Sequence, residues 1–251
     1  MAEENAILTL DNLGGELAEE LVGLEGAGLE SKGQEANMAP YLSIVQNMSA
    51  VRKSEKAEYD PKAEVGMLYN SLSGKLSASS KVLMVYYAPI WQRWQGQERI
   101  VDTYSYDDKI VQETQIKEVQ TQNGAQKQRL FPNNDRLVDT RLHFCLDAEN
   151  NEPVIISMRA SQIKKSKKWT RQIEALQVKV GEKVFNPPSF LSLWNLTTVL
   201  EKNDNYGWAI KHGGFLSLRE SDDKERFDIA KKLQGEIKEN LDRHLGIEPP
   251  F

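Results

Sequence analysis

Apolar and polar residues alternate over short distances through the middle of the chain, a spacing that is typical of β-strands. The strongest case is Lys81–Ala88, KVLMVYYA, whose apolar run predicts a buried strand. Arg99–Tyr106 alternates instead, with Ile100, Asp102 and Tyr104 on one predicted face. We expect roughly seven short strands, drawn from eight β-like segments. The predicted strands are Met67–Ser71, Lys81–Ala88, Arg99–Tyr106, Asp135–Leu146 paired as a hairpin with Val154–Met158, Lys183–Phe185, Phe190–Leu200 and Trp208–Leu218.

Apolar residues at helical spacing predict two helices, a basic one in the middle and one near the C-terminus. The first follows Val154–Met158, with Ser161 as a candidate N-cap. Residues 221–245 repeat apolar positions with dense acid–base pairs outside them. The segment from Pro40 to Val51 predicts a short helix packed on the body. Pro89 is predicted to end the strand Lys81–Ala88, so that the two tryptophans after it, Trp91 and Trp94, lie in a loop. Residues 107–135 are polar and Gln-rich, and we interpret them as a long excursion, part helix and part loop.

This pattern predicts a mainly β fold with some α-helix. The simplest candidate is an elaborated oligonucleotide-binding (OB) fold, a five-stranded Greek-key barrel with a basic inserted helix and a C-terminal helix. We divide the chain into an acidic, flexible N-terminal arm (1–38), an OB-fold nucleic-acid-binding domain (39–219) and a C-terminal helix with a Pro-Pro-Phe tail (220–251).

Charge is distributed unevenly along the chain. Residues 1–35 contain nine acidic residues and one lysine, a net charge of −8, and residues 220–251 carry −3. Because the whole chain carries −5, residues 36–219 carry +6. A positive body between acidic ends is typical of a surface that faces phosphate, with tails that compete for it or recruit partners. Deleting residues 1–35 is therefore expected to tighten nucleic-acid binding at low salt.

Several classes of function find no support in the sequence. The single Cys145 excludes a disulfide framework and fits a reducing cytoplasm. Three separated histidines offer no zinc spacing, and Gly74-Lys75 lacks the residues of a phosphate-binding P-loop. No run is long enough to span a membrane. We therefore predict no catalytic residues, no metal, no cofactor and no membrane partner, and the sequence leaves the oligomeric state open.

Aromatic and cationic residues are concentrated between positions 86 and 99, in YYAPIWQRW and the residues after it. Binding of single strands without sequence preference needs flat rings for base stacking and cations along the backbone. Tyr87, Trp91, Arg93 and Trp94 supply both. The alternative is that Trp91 and Trp94 cap one end of a barrel.

The basic helix and the next strand add further candidates, each with an alternative. Lysines and arginines crowd the helix, but such a face can also be merely solvated. Trp169 either stacks on a base or anchors the helix in the core. Tyr104 and Tyr106 either both stack or both pack inward, and Asp102 on the same face favours the solvent side. The remaining candidates are Arg159, Lys164, Lys165, Lys168 and Arg171.

Four segments together resemble the single-stranded DNA-binding proteins of tailed bacteriophages. They are, in order, APYLSIVQNMS, GMLYNSLSGKL, KVLMVYYAPIWQRW and PVIISMRASQIKKSKKW, within about residues 38–218. The resemblance implies an OB-fold protein that coats exposed DNA during phage replication, recombination and repair, without catalysis. The matching positions for DNA contact would be Tyr87, Trp91, Arg93, Trp94, Lys164, Lys165 and Trp169.

The C-terminal residues Glu248-Pro249-Pro250-Phe251 resemble the tail of bacterial single-stranded DNA-binding proteins, although a mixed-charge helix precedes them here. A terminal Phe can place its ring in an apolar pocket and its carboxylate on a basic rim of a partner. Two alternative functions stay open: an interaction protein that docks a host replication or recombination protein through Pro249, Pro250 and Phe251, and a nuclease of phage DNA metabolism. A pull-down with a Phe251 deletion would test the first, and Mg²⁺-dependent strand degradation the second.

Overall fold

The computed structural model describes residues 40–96, 99–121, 124–180, 182–201 and 205–245. The chain divides into two units, residues 1–38 and 39–251. The predicted acidic arm and the tail Pro249–Phe251 lie outside the described residues, so both stay predictions.

The described residues form thirteen strands, two α-helices and short 3₁₀ turns. The strands are β1 (Leu42–Ile44), β2 (Leu68–Asn70), β3 (Leu76–Ser77), β4 (Ser80–Gln95), β5 (Arg99–Ser105), β6 (Gln115–Thr121), β7 (Gly124–Leu130), β8 (Arg136–Asp147), β9 (Pro153–Arg159), β10 (Val178–Val180), β11 (Lys183–Phe185), β12 (Ser192–Leu200) and β13 (Tyr206–Phe215). The helices are α1 (Ile163–Glu174) and α2 (Ser221–Leu245).

The long strand β4 organises the main sheet. Its first residues pair with β12, its last residues pair with β5, and β8 runs beside most of its length, all antiparallel. The path through the sheet is β13-β12-β4-β8-β7-β6, with β9 on the other part of β8. A mainly β fold with some helix is therefore confirmed. Among the described strands, however, this path stays open and no closed barrel forms.

One face of the sheet, here called the front face, carries Met84 and Tyr87 of β4 and Cys145 and His143 of β8. Helix α1 packs on this face because its apolar residues recur at helical spacing. Ser166, Trp169 and Ile173 of α1 are buried. The remaining core residues on the front face come from both neighbouring hairpins and from β1 and β2; they are Leu42, Leu68, Val82, Val154, Ile156, Met158, Trp194, Leu196 and Trp208.

The back face of the sheet is covered by α2. Leu83, Val85 and Leu146 form a second core with Phe190 and Ala230, and the adjacent residues of α2 pack around it. Burial of such a stripe stabilises by about 25 cal/mol per Å² of apolar surface removed from water, which explains why α2 has one apolar side and one charged side. The predicted C-terminal helix is thus confirmed as a helix, and it is part of the same core as the sheet.

The N-terminal strands cover the open side of the sheet between β9 and β13. Ile155 of β9 donates its backbone N–H to the carbonyl oxygen of Pro40 at 2.7 Å. On the other side, the Gln46 side chain donates to the carbonyl oxygen of Tyr206 at 2.7 Å and accepts from its N–H at 3.0 Å. An amide side chain therefore takes the place of a neighbouring strand at the start of β13.

Two local predictions are wrong. Pro40 to Val51 is not a helix, because residues 42–44 pair with β2 and leave only a 3₁₀ turn at Ala50–Arg52. Nor does Pro89 end β4, which continues to Gln95. Proline lacks a backbone donor, but Pro89 lies after the last pair with β12, at Leu83, and just before the first pair with β5, so one edge of β4 is unpaired there.

Two further predictions for residues 99–135 are corrected by strand pairing. Residues 107–135 contain, besides a 3₁₀ turn at Lys109–Glu113, a β-hairpin formed by β6 and β7. In β5 the register shifts, so that Asp102 lies opposite Arg93 while Ile100 lies opposite Trp94. The shift places Ile100 and Asp102 on different faces, whereas simple alternation predicted one face for both.

Candidate nucleic-acid interface

Beyond the part of the front face covered by α1, a stack of two aromatic rings lies at the surface. The rings of Trp91 and Tyr106 are parallel to within 4°, with centroids 5.3 Å apart. Trp91 also donates its indole N–H to the Tyr106 carbonyl oxygen at 3.2 Å. Tyr106 is 36% exposed and Trp91 is half-buried. The stack is therefore fixed before any ligand arrives, and Tyr106 is its more exposed ring.

A buried arginine supports this stack. The Arg141 guanidinium lies 4.2 Å from the centroid of the Tyr106 ring. It donates to the Tyr87 hydroxyl at 3.2 Å and to Asp139 at 3.0 Å, and its Nε lies 2.9 Å from the second Asp139 oxygen. Burial alone would lower the pKa of Arg141, but these partners raise it above its usual value. We call Tyr87, Trp91, Tyr104, Tyr106 and Arg141 the aromatic platform.

The other arginine of this face is also paired. Arg93 donates to Asp135 at 2.8 Å, and its guanidinium lies 4.5 Å from the centroid of the Phe131 ring. A hydrogen bond from Asn133, and then Arg93, keep the pKa of Asp135 below its usual value. Tyr104, opposite Trp91, donates its hydroxyl to Asp102 at 2.9 Å.

Acidic residues therefore outnumber cations around the platform. Arg93 and Arg141 face three carboxylates, those of Asp102, Asp135 and Asp139. The guanidinium groups act here as flat, fixed plates beside the rings, because their charges are already compensated. What the platform offers a ligand is ring surface, and its ability to attract phosphate is small.

Free positive charge lies instead on the outer side of α1, which we call the basic helix face. Lys164, Lys167, Lys168 and Arg171 are all exposed, at spacings of three and four residues that bring them to one side. None of the four forms an ion pair with a described residue. Lys165 differs, because it pairs with Glu201 at 2.5 Å and is only 24% exposed.

Trp169 lies in the core. Its ring has no exposed surface and stacks on His143 of β8, with centroids 4.6 Å apart. His143 also bonds the Ser166 hydroxyl at 2.9 Å and contacts the Tyr87 ring, at a centroid distance of 5.1 Å. His143 thus connects α1 to Tyr87, which is part of the aromatic platform. Of the two alternatives for Trp169, the structure supports the anchor.

Trp94 and Arg159 come together elsewhere, on the back face. The Arg159 guanidinium lies 4.7 Å from the centroid of the Trp94 ring, and Trp94 is 9% exposed. Arg159 itself is exposed. This pair is separated from the aromatic platform by the sheet, so the predicted site residues do not all share one surface.

Sequence reasoning did not nominate Arg141, Asp139 or His143 as site residues. The only signal in the sequence is the alternation of Asp139, Arg141 and His143 along β8, which becomes informative once β8 is paired with the aromatic residues of β4. Among the described residues there is no cluster of three or more side chains suited to holding a metal ion. The described helices include none long and apolar enough to cross a membrane.

The fold and site define this chain as a mainly β protein with a surface aromatic stack and a separate cationic helix. The model of the Pam3 phage gp34-like protein family matches residues 17–241. The chain therefore belongs to this phage protein family. No curated protein and no solved structure matches it.

Proposed function

We propose that this protein binds single-stranded DNA without sequence preference and protects it during phage replication, recombination and repair. The observation that carries the proposal is a preformed ring stack, Trp91 on Tyr106, on the same protein face that α1 covers with its unpaired cations turned outward. Stacking on such rings contributes about 1–3 kcal/mol per base, and every base has a flat face to offer.

The order of the strands supports an opened OB-fold. Strand β4 pairs with β8 and β12, each of which forms a hairpin with the strand that follows it in the sheet, β9 or β13. Helix α1 lies between β9 and β12 in the chain. This pairing is the one expected for a five-stranded OB barrel that is open between its third and fifth strands, and it therefore supports the proposal. In that fold the connection between the first two strands takes part in binding, and here it carries Tyr104 and Tyr106.

The two surfaces divide the work of binding. The compensated platform receives bases, while Lys164, Lys167, Lys168 and Arg171 receive phosphates. Phosphate contacts release counterions, so affinity is expected to fall with rising salt in proportion to the number of contacts on the helix. Base stacking on the platform is expected to add affinity that salt changes little.

The test is tryptophan fluorescence titrated with oligo-dT at two salt concentrations, with duplex DNA as control. Of the five tryptophans, Trp94, Trp169, Trp194 and Trp208 are buried, and only Trp91 is half-buried. Quenching by single strands should therefore come mainly from Trp91. We expect Trp91→Phe to lose the quenching yet keep binding, measured by anisotropy of a labelled strand. Trp91→Ala should weaken binding by roughly 5- to 150-fold.

Two results would overturn the proposal. The first is equal affinity for duplex and single strands at both salt concentrations, since a duplex hides its base faces. The second is no binding of any labelled strand at low salt. In that case the basic helix face is only solvated, and docking of a partner protein through the tail becomes the better hypothesis.

A further inference from the structure

A small hairpin follows the basic helix and belongs neither to the aromatic platform nor to the basic helix face. It consists of β10 and β11, and its pairs run from Val178 opposite Phe185 to Val180 opposite Lys183. Asn186, the residue after the hairpin, donates its side-chain amide to the carbonyl oxygens of Glu174 at 2.6 Å and Leu176 at 3.1 Å. The hairpin is therefore fastened directly to the C-terminal end of α1.

This hairpin exposes apolar side chains that a surface ribbon does not need for its own folding. Phe185 is 44% exposed and Val184 is 57% exposed. Consecutive residues of a strand point to opposite faces, so the Phe185 ring and the Val184 side chain lie on different sides of the hairpin. An exposed ring beside an exposed cationic helix is the combination that binding of a single strand requires.

The positive charge of the segment that contains the hairpin favours a negatively charged partner. Residues 163–185 contain seven lysines and arginines and two glutamates, a net charge of +5. The hairpin itself contributes the exposed Lys179 and Lys183. Only three residues lie between the end of α1 at Glu174 and the start of β10 at Val178, so these two residues are at most about 14 Å apart. The hairpin therefore lies next to the C-terminal end of the basic helix face.

We propose that the β10–β11 hairpin is a second stacking subsite, in which Phe185 receives a base and Lys183, two residues away on the same face, receives the adjoining phosphate. The ligand class is the single-stranded nucleic acid of the proposed function, on which this inference rests. The bound strand would therefore contact two separated rings, Trp91 and Phe185, with the basic helix face between them in the chain.

The experiment moves the fluorescent reporter from one subsite to the other. Trp91→Phe removes the exposed reporter and keeps a ring on the platform. Adding Phe185→Trp to that variant is expected to restore quenching by oligo-dT, because the new indole would stack on a base. Val184→Trp in the same background is the matched control, since it places an indole on the other face of the same hairpin and is expected to show little quenching. Quenching at neither position, or equal quenching at both, would overturn the subsite.

Affinity gives a second and independent measurement. Phe185→Ala should weaken oligo-dT binding by roughly 5- to 150-fold with an unchanged salt dependence, whereas Val184→Ala should change it less than about twofold. Both residues are exposed, so folding should be retained and can be checked by circular dichroism.

The outcomes separate this inference from the proposed function. If Trp91→Ala weakens binding and Phe185→Ala does not, the proposed function stands and the second subsite is refuted. If the wild-type protein binds no single strand, the proposed function is refuted, and the second subsite, which rests on it, is refuted as well. Poly-glutamate serves as a probe without bases: an equal effect of Phe185→Ala on its binding would identify a general polyanion surface and refute base stacking.

Discussion

The Arg141–Asp139 pair makes the most direct test of how the aromatic platform is held together. Both residues lie on β8, and the Arg141 side chain is 6% exposed while that of Asp139 is 23% exposed. Arg141→Gln would leave the Asp139 carboxylate without its cation and the Tyr106 ring without its supporting plate. We expect this substitution to destabilise the protein and to disorder the ring stack.

The magnitude follows from burial. Removing one partner of a buried ion pair costs about 3–5 kcal/mol, because the other charge stays in a poorly solvated place. Asp139 retains some access to water, so a loss near the lower limit, about 3 kcal/mol, is expected for Arg141→Gln. Asp139→Asn should cost at least as much, since the more deeply buried charge is then the unpaired one. The double variant removes both charges and should lose about 2 kcal/mol less than the sum of the single losses.

Urea unfolding of the wild type, both single variants and the double variant measures this coupling. A control cycle on Lys232 and Glu236, an exposed pair of α2 with atoms 3.8 Å apart, should give less than about 0.5 kcal/mol. Near-ultraviolet circular dichroism of Arg141→Gln should also lose the contribution of the Trp91–Tyr106 stack. Additive losses in the Arg141–Asp139 cycle, within about 0.5 kcal/mol, would contradict a coupled buried pair.

Two further predictions concern a titrating group and the phosphate contacts. Burial, with the nearby charge of Arg141, lowers the pKa of His143 to about 3. Between about pH 6.5 and pH 3 the unfolded chain therefore binds a proton that the folded chain does not. The free energy of unfolding accordingly falls as the pH falls through that window. From pH 7 to pH 5 the wild type should lose about 2 kcal/mol more than His143→Gln in urea unfolding; parallel losses would contradict a neutral buried imidazole. Replacing Lys164, Lys168 and Arg171 together by alanine should reduce the slope of log affinity against log salt by about 2. An unchanged slope in anisotropy titrations would place the phosphate contacts elsewhere.

Local patterns predicted the elements whose partners are close in sequence. The hairpin of β8 and β9 and the basic helix α1 follow directly from a strand run, a short turn and helical spacing. Their faces could be predicted as well, because the cations of α1 avoid the side on which Ile173 lies. The same holds for α2, whose apolar repeat covers the back face of the sheet.

Long-range pairing decided what local patterns could not. Trp169 reads equally well as a surface or a core residue until its contact with His143, on a strand earlier in the chain, is known. Proline is expected to end a strand, yet β4 continues through Pro89. It can do so because β12 pairs with β4 only as far as Leu83 and β5 pairs only from Ile90, so no strand needs a hydrogen bond from Pro89 on that edge. The β6–β7 hairpin is polar on both faces and therefore lacks the alternation by which strands are found.

The distribution of charge explains why the aromatic platform and the basic helix face are separate surfaces. Under the proposed function the ring stack must stay open to bases and needs rigid support, and a guanidinium provides a flat support only if its own hydrogen-bond donors are occupied. Asp139 and the Tyr87 hydroxyl accept hydrogen bonds from the Arg141 guanidinium, and Asp135 accepts one from Arg93 at 2.8 Å. The same carboxylates cancel the charge that phosphate would need. If the protein binds single strands as proposed, its phosphate contacts must come from another element, and α1, which contacts the platform through His143, carries unpaired cations that suit this role.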